Sequence, residues 1–304
     1  MSTATAQKRH VKNNKRGEKT PKTYKPGSLA YVWQRVRKRP TAMIGICFIV
    51  ALFTLSFLAP IICKYKFDAI VMKDRFLLSS WEHPFGTDEL GRNILSRVLY
   101  GAKYTMSIGV LATSISCTFG VLIGCIAGYF GGRVDNLLMR ILDIFQAFPG
   151  VLLAIAISTA LGPGFEKVII AMGISSIPGF ARMMRANILA IRGSEFVEAA
   201  TAINCTVPRI ITRHIIPNAI SPMIVQVAMG IASAGLTASS LSFLGFGVQA
   251  PTPEWGAMLS SARGSIRDYP HLCIFPGLFI MATVLCFNMI GDAVRDALDP
   301  KLRD

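Results

Sequence analysis

The chain is poor in the devices with which a protein carries out chemistry by itself. Its seven cysteines (Cys47, Cys63, Cys117, Cys125, Cys205, Cys273, Cys286) stand singly, with no CxxC pair among them. They read as small buried apolar residues and not as a zinc or disulfide framework. Four histidines (His10, His83, His214, His271) show no ligand spacing. GxSxG, HExxH and Walker A sequences are absent, so nothing in the chain cradles a nucleotide. Any ATP-driven work therefore falls to other proteins. Charge is scarce too, at 16% of residues. Acid is scarcest near the start, where Glu18 alone faces Lys8, Arg9, Lys12, Lys15, Arg16, Lys19, Lys22, Lys25, Arg35, Arg37, Lys38 and Arg39.

What is plentiful is apolar. Hydrophobic residues make up 52% of the 304, too many for an ordinary soluble domain and in keeping with a polytopic membrane protein. The net charge of +15 raises a nucleic-acid partner, and its distribution argues against one. Residues 1–40 are a basic tail that either sets membrane orientation or attracts anionic lipid or RNA. The tail is not a secretory signal, because its apolar run begins too late and runs too long. Leu29–Arg39 reads as an interfacial helix, with Tyr31 and Trp33 at headgroup level.

Six apolar stretches follow, each near the ~20 residues that cross a bilayer. They run over Thr41–Cys63, Thr105–Tyr129, Met139–Leu161, Val168–Leu189, Ala219–Phe246 and His271–Ile290. The expected fold class is an all-α membrane protein with six transmembrane helices. Gly120, Gly124 and Gly128 on the second span repeat a small-xxx-small pattern that lets another helix approach closely. Gly131–Arg140 reads as a turn. Pro149 predicts a kink in the third span, and Pro178 interrupts the fourth. Arg182 and Arg185 reach for the inner interface. Gly230, Ser233, Ala234, Gly235, Thr237, Ser239, Ser240 and Gly245 make the fifth span either a close helix interface or a water-lined path. Asp88 and Glu89, being adjacent, cannot face one another and read as solvated loop acids. Trp255 reads as an interface anchor.

Between the fourth and fifth spans lies a polar island, Ser194–Pro217. Its halves read as two short helices, Ser194 capping the first and Thr206 the second, with Pro208 in the second helix's first turn and Pro217 stopping or kinking it. Phe196, Ala200, Ile203 and Val207 recur at helical spacing as one apolar face. Such a shape either docks into another protein or is an ordinary amphipathic connection.

Glu198-Ala199-Ala200, then Asn204, then His214-Ile215-Ile216-Pro217 resemble the EAA loop of ABC-transporter permeases, in particular the C-type subunit of dipeptide/oligopeptide importers. Asn204 stands where that family usually has glycine, and Asn is the next best residue for a left-handed turn. HPFGTDELGRNILSR resembles the family's HxxGTDxxGRDxxSR segment, with Asn93 for Asp. PTPEWGAML resembles PxxxWGxML, and DALDPKLR a common family ending. The resemblance covers about Leu29 to the end. It implies a type I ABC importer permease fold, in which Phe196, Ala200 and Ile203 anchor a coupling loop. Glu198 makes a charged contact there or holds the turn, and Ala199, Asn204 and Pro217 complete the loop. It also implies a homologous B-type permease subunit, two ATPase subunits carrying ATP and Mg, and an extracytoplasmic substrate-binding protein; this chain binds no cofactor itself. The domains expected are a tail (1–40), a first span with its outer segment (41–103) and a five-helix core (104–304).

With both termini inside, the inner segments carry a net +13 and the outer ones +2, as the excess of Lys and Arg on the cytoplasmic side requires. That places the loop in the cytosol of a bacterial or archaeal cell, and leaves nucleic acid without support. Relatives of this architecture also handle nickel, glutathione or antimicrobial peptides, and the spans do not discriminate among them. An ion-driven secondary transporter would hold ionisable groups near the membrane middle and show internal repeats; neither is seen. An intramembrane enzyme would need a nucleophile–base pair or metal set within the spans.

Overall fold

The computed structural model describes residues 29–298. Helix α1 (Leu29–Arg37) lies against the start of α2 (Pro40–Ile62), and the long α3 (Ile94–Phe130) comes after an irregular segment. Next are α4 (Gly132–Gln146), α5 (Gly150–Leu161), α6 (Phe165–Ile191) and α7 (Glu195–Ala202). A short α8 (Val207–Ile210) runs through a π-turn (Ile211–Ile215) into α9 (Ile216–Phe243), and α10 (Trp255–Ala262) and α11 (His271–Leu298) complete the chain. Five of these segments are long and apolar enough to cross a membrane: α2, α3, α6, α8–α9 and α11. A sixth crossing exists when α4 and α5 count as one broken span, bent by 85°.

Four expectations about these spans change. Of the expected turn Gly131–Arg140, residues 132–140 are the start of α4, and the kink at Pro149 is a full break, because Pro149 supplies no N–H and starts a new helix. Pro178 does not interrupt α6, which runs through it with the ring buried among its neighbours. Helix α3 begins eleven residues before Thr105. At ~1.5 Å per residue it is about 55 Å long, well beyond the hydrocarbon core.

The glycines of α3 set the closest packing. A Cβ on Gly124 would lie 2.5 Å from the Ala181 carbonyl oxygen and 2.7 Å from Met184 Cβ, both on α6. One on Gly128 would lie 2.9 Å from Ile188 Cβ, and one on Gly120 would strike Phe180. Small residues at four-residue spacing thus let two helix backbones approach without side chains between them.

The α3 N-terminus, α10 and the start of α11 share one apolar cluster with Ile94, Val98, Trp255, Met258 and Leu272. Trp255 is 0% exposed and donates its indole N–H to the Val98 carbonyl at 2.9 Å. It is a core residue and not an interface anchor, since its one polar group finds a partner inside. Over this cluster folds the segment 64–93. Phe76 stacks on Tyr269 and Phe85 on Phe275, with ring centroids 4.2 and 4.0 Å apart. Asn93 caps α3 by accepting from Ser96 N–H at 3.0 Å, the service an Asp would render.

Asp88 is not a solvated acid. Its carboxylate accepts from the Leu90 and Arg92 N–H groups at 2.9 Å each and from Arg92 Nε at 2.7 Å, with Arg97 Nε 3.7 Å away. Arg92 and Arg97 are both buried, so the acid neutralises charge that has no water to face. Asp88→Ala is expected to cost about 3–5 kcal/mol, the usual price of stranding a buried ion-pair partner. Thermal unfolding in detergent checks this; an unchanged midpoint would contradict it.

Cysteine burial is only partly as expected: Cys125 and Cys286 are buried, Cys47 is exposed and the others are half-buried. Trp33 on α1 is exposed, while Val32 and Val36 pack with Ala42, Ala293 and Ala297. The start of α1 thereby joins the end of α11, and Arg39 pairs with Asp296 at 2.5 Å. The ending DALDPKLR and the basic tail each lie partly outside the described residues, the tail up to residue 28.

Candidate functional site

The bundle end opposite Trp255 carries an elbow. Helix α6 stops at Arg192, and α7 turns back so that Val197 and Ala200 join Cys125, Met184, Ile188, Ile210 and Ile215 in one cluster. Ser194 occupies the N-cap position without a side-chain cap; its hydroxyl donates instead to the Ile191 carbonyl at 2.6 Å. Thr206 likewise makes no side-chain cap for α8. In both places backbone bonds start the helix and the hydroxyl is spent elsewhere or free.

Helix α7 ends in a Schellman turn. Cys205 N–H bonds to the Ala200 carbonyl at 3.1 Å and Asn204 N–H to Thr201 at 2.9 Å, the paired bonds of that motif. Asn204 sits at the left-handed position with φ +59°. Half-buried Cys205 packs on the same cluster as Ala200, the apolar contact that accompanies the turn. Two helical spacings and one turn residue thus fix the direction in which the chain leaves α7.

The elbow's second half is not a separate helix stopped by Pro217. Val207–Phe243 is one long span, widened at Ile211–Ile215 into a π-turn. Pro217 lies in the first turn after it, where the wider ring tolerates a residue with no N–H to give. Asn218 Nδ2 donates to the His214 carbonyl at 2.6 Å, occupying an acceptor there.

The expected single apolar face is split. Ala200 faces inward, but Phe196 is 41% exposed, Ile203 76% and Val207 37%. Val197, one position round the helix, takes the buried place. Glu195, Glu198 and Ala199 are exposed. Neither acid has a hydrogen bond or ion pair with another side chain among the described residues. The turn is therefore held by backbone carbonyls and not by Glu198. Phe196 and Ile203 flanking unpaired acids make a surface that offers apolar area and negative charge together.

Two ion pairs join the helix leading into the elbow to α4. Arg185 grips Asp135 with both ends of its fork, at 2.5 and 2.6 Å, and Arg182 pairs with Asp143. These arginines, read from the sequence as free helix-end anchors, are partnered. Arg192 Nη1 also donates to the Gly128 carbonyl at 3.2 Å.

Beyond them, α3, α6, α9 and the α4–α5 bend enclose an open cleft of about 800 Å³. Thr113 and Ser116 of α3, Ser175 and Ser176 of α6, and Gln226 and Thr237 of α9 line it. The small and hydroxylated residues of the fifth span signalled such a lining. Gln146, Phe148 and Gly150 at the bend carried no such signal, because only the break in the third span brings them there. Outside the cleft, at the start of α10, Glu254 is fully buried. It caps α10 by accepting from the Gly256 and Ala257 N–H groups at 2.9 and 2.8 Å. Burial raises its pKa above the ordinary carboxylate value, against those two N–H bonds and the nearby hydroxyls, which lower it.

The chain resembles known proteins in sequence and in fold. Residues 120–304 match the family described as binding-protein-dependent transport system inner membrane component, and residues 28–78 the N-terminal TM domain of oligopeptide transport permease C. The chain is 42% identical over 271 residues to the dipeptide transport system permease protein DppC of Alkalihalophilus pseudofirmus, covering 89% of each. It is 45% identical over 272 residues to the glutathione transport system permease protein GsiD of Escherichia coli, covering 89% of this chain and 90% of that one. Among solved structures, the methionine ABC transporter MetNI, in inward-facing conformations, aligns with a TM-score of 0.55 at 16% identity. That alignment covers 67% of this chain and 97% of the other. An amino acid ABC transporter aligns at a TM-score of 0.51 and 19% identity, over 65% of this chain and 92% of its own. The chain belongs to the family of inner-membrane components of binding-protein-dependent transport systems. It is a multi-pass permease subunit with the type I ABC importer fold.

Proposed function

We propose that this chain is the C-type permease subunit of an ATP-driven importer of short peptides. It pairs with one homologous B-type subunit and works with two ATPase subunits and an extracytoplasmic binding protein. The observation that carries this reading is the elbow. A rigid turn at Asn204 presents Phe196, Ile203 and unpaired Glu198 together at the end of a span. ATP and Mg are held by the ATPases, and the elbow seats in an ATPase cleft. Closure of the ATPase pair pushes α7, and through it the inner ends of α3, α6 and α9. The excess of basic residues on this side puts both termini and the elbow in the cytosol. The B-type subunit covers the cleft, because hydroxyls and carboxamides facing hydrocarbon are costly. Residues 1–40, 41–103 and 104–304 divide as tail, first span with its outer segment, and core. The names of the relatives, one dipeptide and one glutathione permease, favour a short peptide as cargo.

The test is to purify the complex by a tag on this chain, identify its companions, and follow peptide uptake into proteoliposomes with and without ATP. Two ATPases, a second permease and uptake that requires ATP are expected. Uptake driven by a proton or sodium gradient alone would overturn the reading.

A further inference from the structure

Among the described residues that line the cleft there is no ionisable side chain. On α4 and α6, Asp135 and Asp143 are paired with Arg185 and Arg182. Several of the polar groups that remain are already engaged. Ser116 Oγ shares its one proton between the Ala112 and Gly173 carbonyls, at 2.9 and 2.8 Å. Ser175 and Thr237 donate to the carbonyls of Met172 and Ser233 at 3.0 and 2.9 Å. Each such hydroxyl has given up its proton and offers the cleft only lone pairs. Besides the exposed Gln146 at the bend, one carboxamide lines the cleft: Gln226, half-buried on α9, with no hydrogen bond to another described residue. Its carboxamide offers two donors and an acceptor, the same complement that a peptide bond needs.

A fixed charge in a partly dry cleft acts over many ångströms. It would hold a solute of opposite sign and repel one of like sign. A wall without such a charge does neither. We propose that Gln226 is a specificity-determining residue that contacts the passing solute. By this proposal, a neutral wall accepting main-chain amides makes passage indifferent to the charge of the solute's side chains. The proposal rests on reading the chain as a peptide permease.

The experiment uses the full complex in proteoliposomes with saturating binding protein. The probes are Ala-Ala-Ala, Ala-Asp-Ala and Ala-Lys-Ala, each rate being divided by the wild-type rate for the same peptide, which cancels the binding protein's own preference. Gln226→Glu and Gln226→Lys are expected to shift the Lys-peptide to Asp-peptide ratio in opposite directions, by about tenfold each. Gln226→Asn leaves the ratio unchanged. If either Gln226 variant fails to assemble, Ser176→Asp and Ser176→Lys on the facing wall replace it, with the same expected shifts. Ratios equal to wild type in the charged variants, or all three peptides slowed alike, would overturn the proposal while leaving the peptide reading intact. A wild-type complex that takes up none of the three would overturn both.

Discussion

Gly124→Leu should abolish the folded bundle. The added Cβ alone lies 2.5 Å from the Ala181 carbonyl oxygen and 2.7 Å from Met184 Cβ, and neither can swing aside as a long side chain would. Helices α3 and α6 must separate along their whole contact, because Gly120 and Gly128 pack on the same face. Overpacking a well-filled core costs about 1–3 kcal/mol when the neighbours can adjust; here backbone opposes backbone, and the cost lies above that range. Gly124→Ala should give an intermediate loss, since it adds the clashing atom without the rest. Yield of monodisperse protein in detergent and its unfolding midpoint report the effect. A leucine variant as stable as the parent would show that the two helices are not held in contact at this position.

Glu198→Lys should leave the chain inserted and abundant while lowering uptake by at least about tenfold, the size expected when one charged interface contact is reversed. The reasoning is that Glu198 contributes nothing to the fold among the described residues: it is exposed and unpaired. Under the proposed docking of α7, the carboxylate acts on a partner. Asn204→Val separates shape from charge. A β-branched residue at φ +59° costs about 1–2 kcal/mol in a left-handed conformation. The Schellman turn then loosens and transport falls, whereas Asn204→Gly should keep it. Glu198→Lys with normal uptake would contradict the docking of α7. Asn204→Val with normal uptake would contradict the need for a rigid turn.

Much of this was legible in the residues because it depends on local rules. The long uncharged runs gave the spans, the glycine repeat pointed at a close helix pair, and Asn204 was readable as a left-handed residue where only glycine does better. The failures lie where local rules stop. Several concern a residue whose surroundings are made far along the chain. Asp88 looked like a solvated acid because its buried setting is made by α10 and α11. Trp255 looked like an interface anchor because the acceptor of its N–H, Val98, is more than a hundred and fifty residues away. Arg185 looked free because Asp135 lies fifty residues earlier. Helical periodicity placed Phe196, Ala200 and Ile203 on one face but could not say which edge of that face turns inward. Packing gave the inner edge to Val197 and Ala200 and left Phe196 and Ile203 outside. The break at Pro149 was read as a kink because proline signals interruption without its angle; the 85° turn is what brings Gln146 and Phe148 to the cleft.

The most direct measurement is side-specific labelling of the elbow. All seven cysteines are replaced and one is introduced at Ile203, the most exposed apolar residue of α7 and its turn. A membrane-impermeant maleimide should react with it in inside-out vesicles and not in right-side-out ones, and purified ATPase subunits should protect it. Reaction in right-side-out vesicles would place the elbow on the wrong side of the membrane and contradict the coupling role.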